Sequence, residues 1–313
     1  MSATLYASLG YFTGLDNVTD PVRLATEVIQ TPEGHKAAYP LVEAMNVDID
    51  NSFAISSRSG LTELFTGANL HSFWANRKET LCYFMDGSAL YRLNSDCASG
   101  VKLVELSSNS RVSFAEFNDR VYLTNGVDIG YVKADTFNRI PEQTLEYKQP
   151  LPAGNFIGVF DSRLYVAVGT ILFIGDVLAD CYDTRYGFRV FDSDIRMLVS
   201  VDKGLYVSDK RMWFLHIGQP SEVDPIGLHR LPADSAPAIP YTGIQIDGGD
   251  IGETGLEGIV GVWASESGIC VGDNSGKVTS ITGGKYVMSE SSEGSAVMRD
   301  VNGVKHYLVT LRG

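Results

Sequence analysis

Short apolar runs separated by polar turns dominate the chain after Tyr39. Many of these turns are Asp-Gly, Asn-Gly or Gly-Gly pairs, which favour chain reversal between antiparallel strands. Helical periodicity is nearly absent. The best candidate for a helix is residues 21–30, where Asp20 can act as the N-cap and Pro21 can open the first turn. The apolar residues of that segment fit a short helix or an extended arm, and the pattern as a whole predicts an all-β protein.

A repeat organises these strands. Four segments each contain an apolar strand with a central tyrosine, a short polar turn and a second strand that ends in apolar or aromatic residues. The tyrosines recur at intervals of 39, 43 and 41 residues, at Tyr83, Tyr122, Tyr165 and Tyr206. A fifth copy, centred on Cys270, follows 64 residues after the last tyrosine. The extra length predicts an insertion before the fifth copy.

Each copy is preceded by another strand of similar type, at residues 71–76, 112–117, 156–160, 195–201 and 259–264. About four strands in every ~41 residues are typical of one blade of a β-propeller. We therefore predict five whole blades between residues 71 and 287. Such blades cannot bury both faces alone, so several must pack side by side in a ring.

Both ends of the chain supply strands for a sixth blade. Residues 295–299 and 305–311 form two C-terminal strands, and residues 44–49 and 53–57 form two N-terminal strands. Sharing one blade between the termini closes the ring and removes exposed strand edges. Seven blades remain an alternative, since residues 61–67 also have a strand pattern. The predicted organisation is an N-terminal arm, residues 1–40, followed by a propeller, residues 41–313.

The predicted insertion covers residues 218–255 and contains five prolines. Proline disfavours a regular helix and a central strand, so we expect a long loop extending outward from the ring. Its apolar content favours packing on an adjacent subunit. Its six carboxylates against a single arginine, Arg230, leave two alternatives: exposure to a DNA passage, or simple solvation.

The composition of the chain disfavours several classes of function. The 313 residues include 38 acidic and 25 basic side chains, a formal charge of −13 that disfavours binding to DNA phosphates or to an anionic membrane. No run of ~18 apolar residues is present, and the four cysteines form no C-x-x-C pair, which favours reduced thiols. Nucleophile elbow, phosphate-binding and metal-binding histidine motifs are absent from the sequence. We therefore expect no catalytic, cofactor or metal residues.

Several motifs resemble a group of tailed-bacteriophage virion proteins. The resemblance lies in residues 12–17 and 20–24 of the arm, in 44–50 and 55–60, in 204–209 with 213–215, and in 261–264 with 268–272. It implies a structural tail component of the nozzle or tail-hub type, in which propellers form a ring below the head–tail connector. Unlike the large nozzle proteins, this chain has no room for a second platform domain beside six blades.

The resemblance also implies that the protein acts by assembly, as a homo-oligomeric ring that contacts other tail and connector proteins. It would be located in the virion after assembly in the host cytoplasm, and DNA would be only passing cargo. The arm and the insertion are the expected docking elements, through Leu15, Asp16, Pro21, Arg23, Leu24, Ile226, Leu228, Ile239 and Tyr241. The alternative function is a glycan-binding or glycoside-hydrolysing propeller, since propellers can hold paired carboxylates in their channel.

Overall fold

A computed structural model describes residues 11–32, 34–43, 47–49, 52–58, 60, 62–217, 226–232, 235–251, 255–288, 291–301 and 304–313. The elements within these ranges are β-strands and two short 3-10 helices. The N-terminal strands are β1 Tyr11–Leu15, β2 Glu27–Thr31, β3 Gly34–Leu41, β4 Val47–Ile49 and β5 Ile55–Ser57. In the first sheet β3 lies between β1 and β2, while β4 pairs only with β5.

Five four-stranded antiparallel sheets follow, and we call them blades 1 to 5. Blade 1 contains β6 Leu70–Ala75, β7 Cys82–Asp86, β8 Ala89–Leu93 and β9 Gly100–Glu105, and blade 2 contains β10 Ser113–Phe117, β11 Arg120–Thr124, β12 Ile129–Lys133 and β13 Thr136–Arg139. The small sheet of β14 Lys148–Pro150 and β18 Cys181–Asp183 flanks blade 3, which contains β15 Phe156–Phe160, β16 Arg163–Val168, β17 Ile171–Ile174 and β19 Phe188–Val190.

Blade 4 contains β20 Met197–Val201, β21 Gly204–Ser208, β22 Met212–Ile217 and β23 Ile226–Arg230. Blade 5 contains β24 Ile244–Asp247, β25 Ile259–Ser265, β26 Gly268–Gly272 and β27 Val278–Ser280, with a 3-10 helix, Gly248–Asp250, after its first strand. The final hairpin, β28 Glu293–Val301 and β29 Val304–Arg312, is the sixth unit of the ring. The first strands of all six units line one central cavity, so the chain is a six-bladed β-propeller.

The tyrosine repeat is confirmed. Tyr83, Tyr122, Tyr165 and Tyr206 lie on the second strands of blades 1 to 4, and each is at most 3% exposed. Their rings pack in apolar clusters that join each blade to the next. In blade 5 the second strand carries Trp263, which is fully buried beside Tyr206 at a ring-centroid distance of 5.3 Å.

The predicted insertion is wrong for its described residues. Within 218–255, β23 is the fourth strand of blade 4 and β24 is the first strand of blade 5. Both strands avoid the prolines, which lie in the connections between them or outside the described residues. Consequently the run at 259–264 is the second strand of blade 5, and Cys270 lies on its third strand.

The sixth unit differs from the other five. β28 and β29 form a two-stranded sheet, and β4–β5 is a separate two-stranded sheet rather than a continuation of it. The two lie close together, because Arg299 Nη1 on β28 is 3.4 Å from Asp48 Oδ2 on β4. A further ion pair of 2.9 Å joins Asp48 to Arg58. Among the described residues no seventh unit contributes to the cavity, and residues 62–67 contain no strand; residue 61 lies outside the described residues.

The N-terminal arm is a small folded sheet. Asp20 accepts a hydrogen bond from the Val22 backbone at 2.9 Å and caps the 3-10 helix Pro21–Arg23, after which the chain extends into β2. Residues 21–30 therefore contain a short helical turn followed by an extended strand, the two conformations that the sequence left open. Asn17 fastens the sheet to the propeller: its side chain donates to the Val287 carbonyl at 3.0 Å and accepts from the Val287 backbone N–H at 2.9 Å.

Candidate binding surfaces

The central cavity has a volume of about 1760 Å³ and continues from the channel into the space between the sixth unit and blade 1. Apolar clusters join every pair of successive units from blade 1 to the sixth unit. The boundary between the sixth unit and blade 1 closes the ring, and we call it the closing boundary. The described residues there line the cavity instead, with Phe65, Phe84 and Leu93 on the blade 1 side and Val297 and Leu308 on the other. This boundary is therefore the concave part of the ring.

Local backbone geometry turns one aromatic ring toward the cavity. The pairing of β6 with β7 is irregular between His71 and Trp74, and Ser72 has a positive φ of 54°. That conformation is uncommon for a residue other than glycine. The Ser72 hydroxyl accepts the Val112 backbone N–H at 2.9 Å, which fixes the irregular segment against blade 2. Phe73 is consequently 58% exposed and lines the cavity.

One end of the cavity, where the first strands begin, is crossed by Arg111. Its guanidinium donates to the Gly294 carbonyl at 2.6 Å and to the Ser295 hydroxyl at 2.5 Å. It also lies over the Tyr241 ring, 4.2 Å from the centroid, and Tyr241 packs on Phe156 at 4.7 Å. Desolvation lowers the pKa of Arg111 from its ordinary value, although the nearby Glu293 opposes that shift. These contacts connect blades 2, 3 and 5 with the sixth unit and close this end.

The other end carries an excess of carboxylates. Asp247 is paired with Arg77 at 3.3 Å, and Asp250 is paired with Lys305 at 3.0 Å. Glu79 and Glu116 also line this end of the cavity, and neither makes an ion pair with a described residue. The cavity thus has an apolar wall, a closed end where Arg111 is ion-paired with Glu293 at 3.8 Å, and an acidic open end.

A second surface lies on the N-terminal sheet. Val28 pairs with Ala37 across β2 and β3, and Val28 is 74% exposed. Tyr39 lies two residues further along the same face and is 48% exposed, and Val22 on the preceding helix is 92% exposed. Ile29 and Ala38, on the opposite face, are buried. We call the exposed set Val22, Val28 and Tyr39 the arm patch.

The predicted interaction residues divide into two groups. In the arm, Pro21 and Arg23 are exposed, whereas Leu15 and Leu24 are half-buried. Asp16 is buried and accepts hydrogen bonds from the backbone N–H groups of Thr19 and Val18; the bond from Thr19 is the main reason that its pKa lies below its ordinary value. Its role in the structure is to shape the turn after β1.

The second group packs within the chain, so these residues do not lie on the long outward loop that the sequence predicted. Ile226, Leu228 and Tyr241 pack against the apolar cluster between blades 3 and 4. Ile239 is only 4% exposed and packs with Ala264 and Met288. The apolar content of the region therefore reflects two blade strands and the connection between them.

The described residues contain no cluster of three or more His, Cys, Asp or Glu side chains able to hold a metal ion. All four cysteines are free, and burial is the main cause that raises the pKa of the Cys82, Cys181 and Cys270 thiols. No helix in the described ranges has the length and apolar character needed to cross a bilayer. Sequence reasoning did not identify Phe73 as a cavity residue, because strand alternation does not reveal the local pairing irregularity beside it. It also missed Arg111 and Glu116, since a single sequence does not show which residues meet around the channel.

No protein-family model and no curated protein matches the chain. Solved propellers resemble it in structure. The N-terminal domain of Nup159 is 11% identical with a TM-score of 0.47 over 78% of this chain and 73% of its own. Streptogramin B lyase is 12% identical with a TM-score of 0.46 over 85% and 86%. Virginiamycin B lyase from Staphylococcus aureus is 11% identical with a TM-score of 0.43 over 91% and 94%. Likeness at this level identifies neither activity nor partner.

Proposed function

We propose that the protein is a structural component of a tailed-phage virion, in the tail nozzle, hub or head-proximal tail ring, and that it acts by assembly rather than by catalysis. The observation that carries this proposal is the arm patch. Val22, Val28 and Tyr39 expose apolar surface on a small sheet that is fastened to the propeller by Asn17. Exposed apolar side chains grouped on one small unit can mark a site of protein–protein contact. The same segment contains motifs that resemble phage virion proteins.

In this proposal, copies of the chain form a ring through their arm patches and contact other tail and connector proteins. The DNA passage is the centre of that ring. It does not run through a single propeller, since Arg111 and Tyr241 cross one end of the central cavity. The acidic charge of the chain suits a wall along which DNA passes without adhering.

The experiment supplies the chain in trans to a phage from which its gene has been deleted. Wild-type protein should restore infectious particles and be found in them by mass spectrometry. A Val28→Glu/Tyr39→Glu variant should remain folded but fail to enter particles. The matched control is Val127→Glu, at a propeller position that is 61% exposed and outside the arm. Infectious particles without the chain, or normal incorporation of the double variant, would refute the proposal.

A further inference from the structure

The apolar lining of the central cavity is accessible rather than filled. Phe73 is 58% exposed and Val297 is 47% exposed, and both line the cavity from opposite sides of the closing boundary. Isolated exposed apolar residues on a convex surface need no explanation, but these two lie inside a concave site. The volume of about 1760 Å³ exceeds the ~300–1,000 Å³ typical of small-molecule sites, so it suits a longer occupant.

Backbone geometry favours an extended occupant. The first strands β6, β10, β15, β20, β24 and β28 each lie at the end of their sheet, so their inner edges have no neighbouring strand. The first strands of blades 1 to 4 have five or six residues and span about 17–20 Å. On β15 the backbone N–H groups of Ile157 and Val159 already donate to serine hydroxyls of the neighbouring blades, so an occupant can use only the edge groups that such contacts leave. An extended peptide can use such edges for hydrogen bonds and neighbouring apolar surfaces for its side chains.

Charge selects the kind of peptide. At the open end, Asp247 and Asp250 are neutralised by Arg77 and Lys305, whereas Glu79 and Glu116 make no ion pair with a described residue. A cationic group placed there gains attraction from both carboxylates. An anionic group is repelled, and it is also excluded from direct contact with Arg111, which is already bonded to Gly294 and Ser295.

We propose that the central cavity binds an extended peptide segment of a partner protein, with apolar side chains against Phe73 and Val297 and a lysine or arginine at the acidic end beside Glu79 and Glu116. The closed end stops the segment at Arg111. The cleft at the closing boundary provides its entry route from the side of the ring. This binding role is separate from assembly through the arm patch.

The test uses two labelled octapeptides, one alternating valine with lysine and one alternating valine with glutamate, and measures fluorescence anisotropy with the full chain. The lysine peptide should bind at least about tenfold more tightly than the glutamate peptide, a difference that shrinks as salt is raised. Glu79→Gln/Glu116→Gln should remove most of that preference. Glu142→Gln, at an exposed position outside the cavity, is the matched control and should leave it unchanged.

Apolar contact is tested separately with Phe73→Ser and Val297→Ser, which remove exposed side chains and should leave the melting temperature close to that of the wild type. Both variants should weaken binding of the lysine peptide several-fold. Equal binding of the two peptides by the wild type, or unchanged binding by Glu79→Gln/Glu116→Gln or by both serine variants, would overturn the proposal.

Discussion

At the scale of single residues, the repeated tyrosines share a position but differ in their hydroxyl groups. The Tyr206 hydroxyl donates to the Asp273 carbonyl at 2.7 Å, whereas the Tyr165 hydroxyl is buried and has no hydrogen-bond partner among the described residues. Burial is the main cause that raises the pKa of both phenols above the ordinary value. The repeat thus conserves the ring as an element of packing between blades, and only some copies use the hydroxyl.

This difference predicts opposite results for the same substitution. Tyr206→Phe removes a hydrogen bond and leaves the Asp273 carbonyl without it, so it should cost about 1–2 kcal/mol. Tyr165→Phe removes an unpaired buried hydroxyl and should be neutral or stabilising. Chemical denaturation of the two variants measures both effects. A larger loss for Tyr165→Phe than for Tyr206→Phe would contradict this account of the two sites.

Asp183 gives a pH-dependent prediction. Arg185 donates to both of its oxygens, at 2.9 and 2.8 Å, and Lys148 lies 3.2 Å away. The Arg185 side-chain hydrogen bonds are the main reason that the pKa of Asp183 lies far below its ordinary value. A depressed carboxyl pKa contributes stability above the unfolded-state value and loses it as pH falls through the folded-state value.

Asp183→Asn should therefore destabilise the protein at neutral pH, and its deficit relative to the wild type should shrink as the pH falls below about 4. Arg185→Gln raises the folded-state pKa toward the unfolded-state value, so its own acid-induced loss should be smaller and should end at a higher pH. Urea unfolding between pH 3 and 7 measures these differences. A deficit of Asp183→Asn that does not vary over this range would show that the carboxylate charge is not what stabilises the site.

At the scale of elements, the sequence pattern located the first three strands of blades 1 to 4, because each has an apolar run bounded by tight turns. It misplaced the elements between residues 218 and 255 because β23 and β24 are short and prolines surround them. The run at 259–264 is more strongly apolar than β24, since β25 is buried along its whole length as a second strand. A single sequence does not show which strands the neighbouring blades bury. The pattern therefore assigned residues 259–264 to the first strand of blade 5 instead of the second.

The hairpin β28–β29 is attached chiefly to blade 5. The Tyr307 hydroxyl donates to the Thr242 carbonyl at 2.6 Å, and the Gly294 backbone N–H donates to the Pro240 carbonyl at 2.9 Å. Tyr307→Phe should cost about 1–2 kcal/mol and increase amide hydrogen exchange mainly in the hairpin. Uniform acceleration of exchange in all blades would show that the hairpin does not open as a separate unit.

At the scale of the whole molecule, the propeller closes unevenly. Apolar clusters seal the boundaries between successive units, whereas the last boundary holds the open cavity and is crossed at one end by Arg111. The repeat in the sequence predicts five of the blades, and the strand patterns at the two ends of the chain predict a sixth unit. The cavity at the closing boundary does not, since it depends on how the two ends of the chain meet in space.

Removing the last strand tests this closure. Deletion of residues 304–313 takes away β29, leaves β28 without its partner and uncovers the apolar clusters of blade 5 that contact Tyr307, Val309 and Leu311. Exposed strand edges and apolar surface together favour aggregation, so the truncated chain should be insoluble or unfolded.

The control for this deletion is Arg111→Gln, which weakens the crossing of the cavity without uncovering those clusters. This variant should lower the melting temperature while leaving the protein soluble. A soluble, monomeric truncation with the native melting temperature would mean that five blades are stable alone, and that the ring does not depend on the sixth unit for its closure.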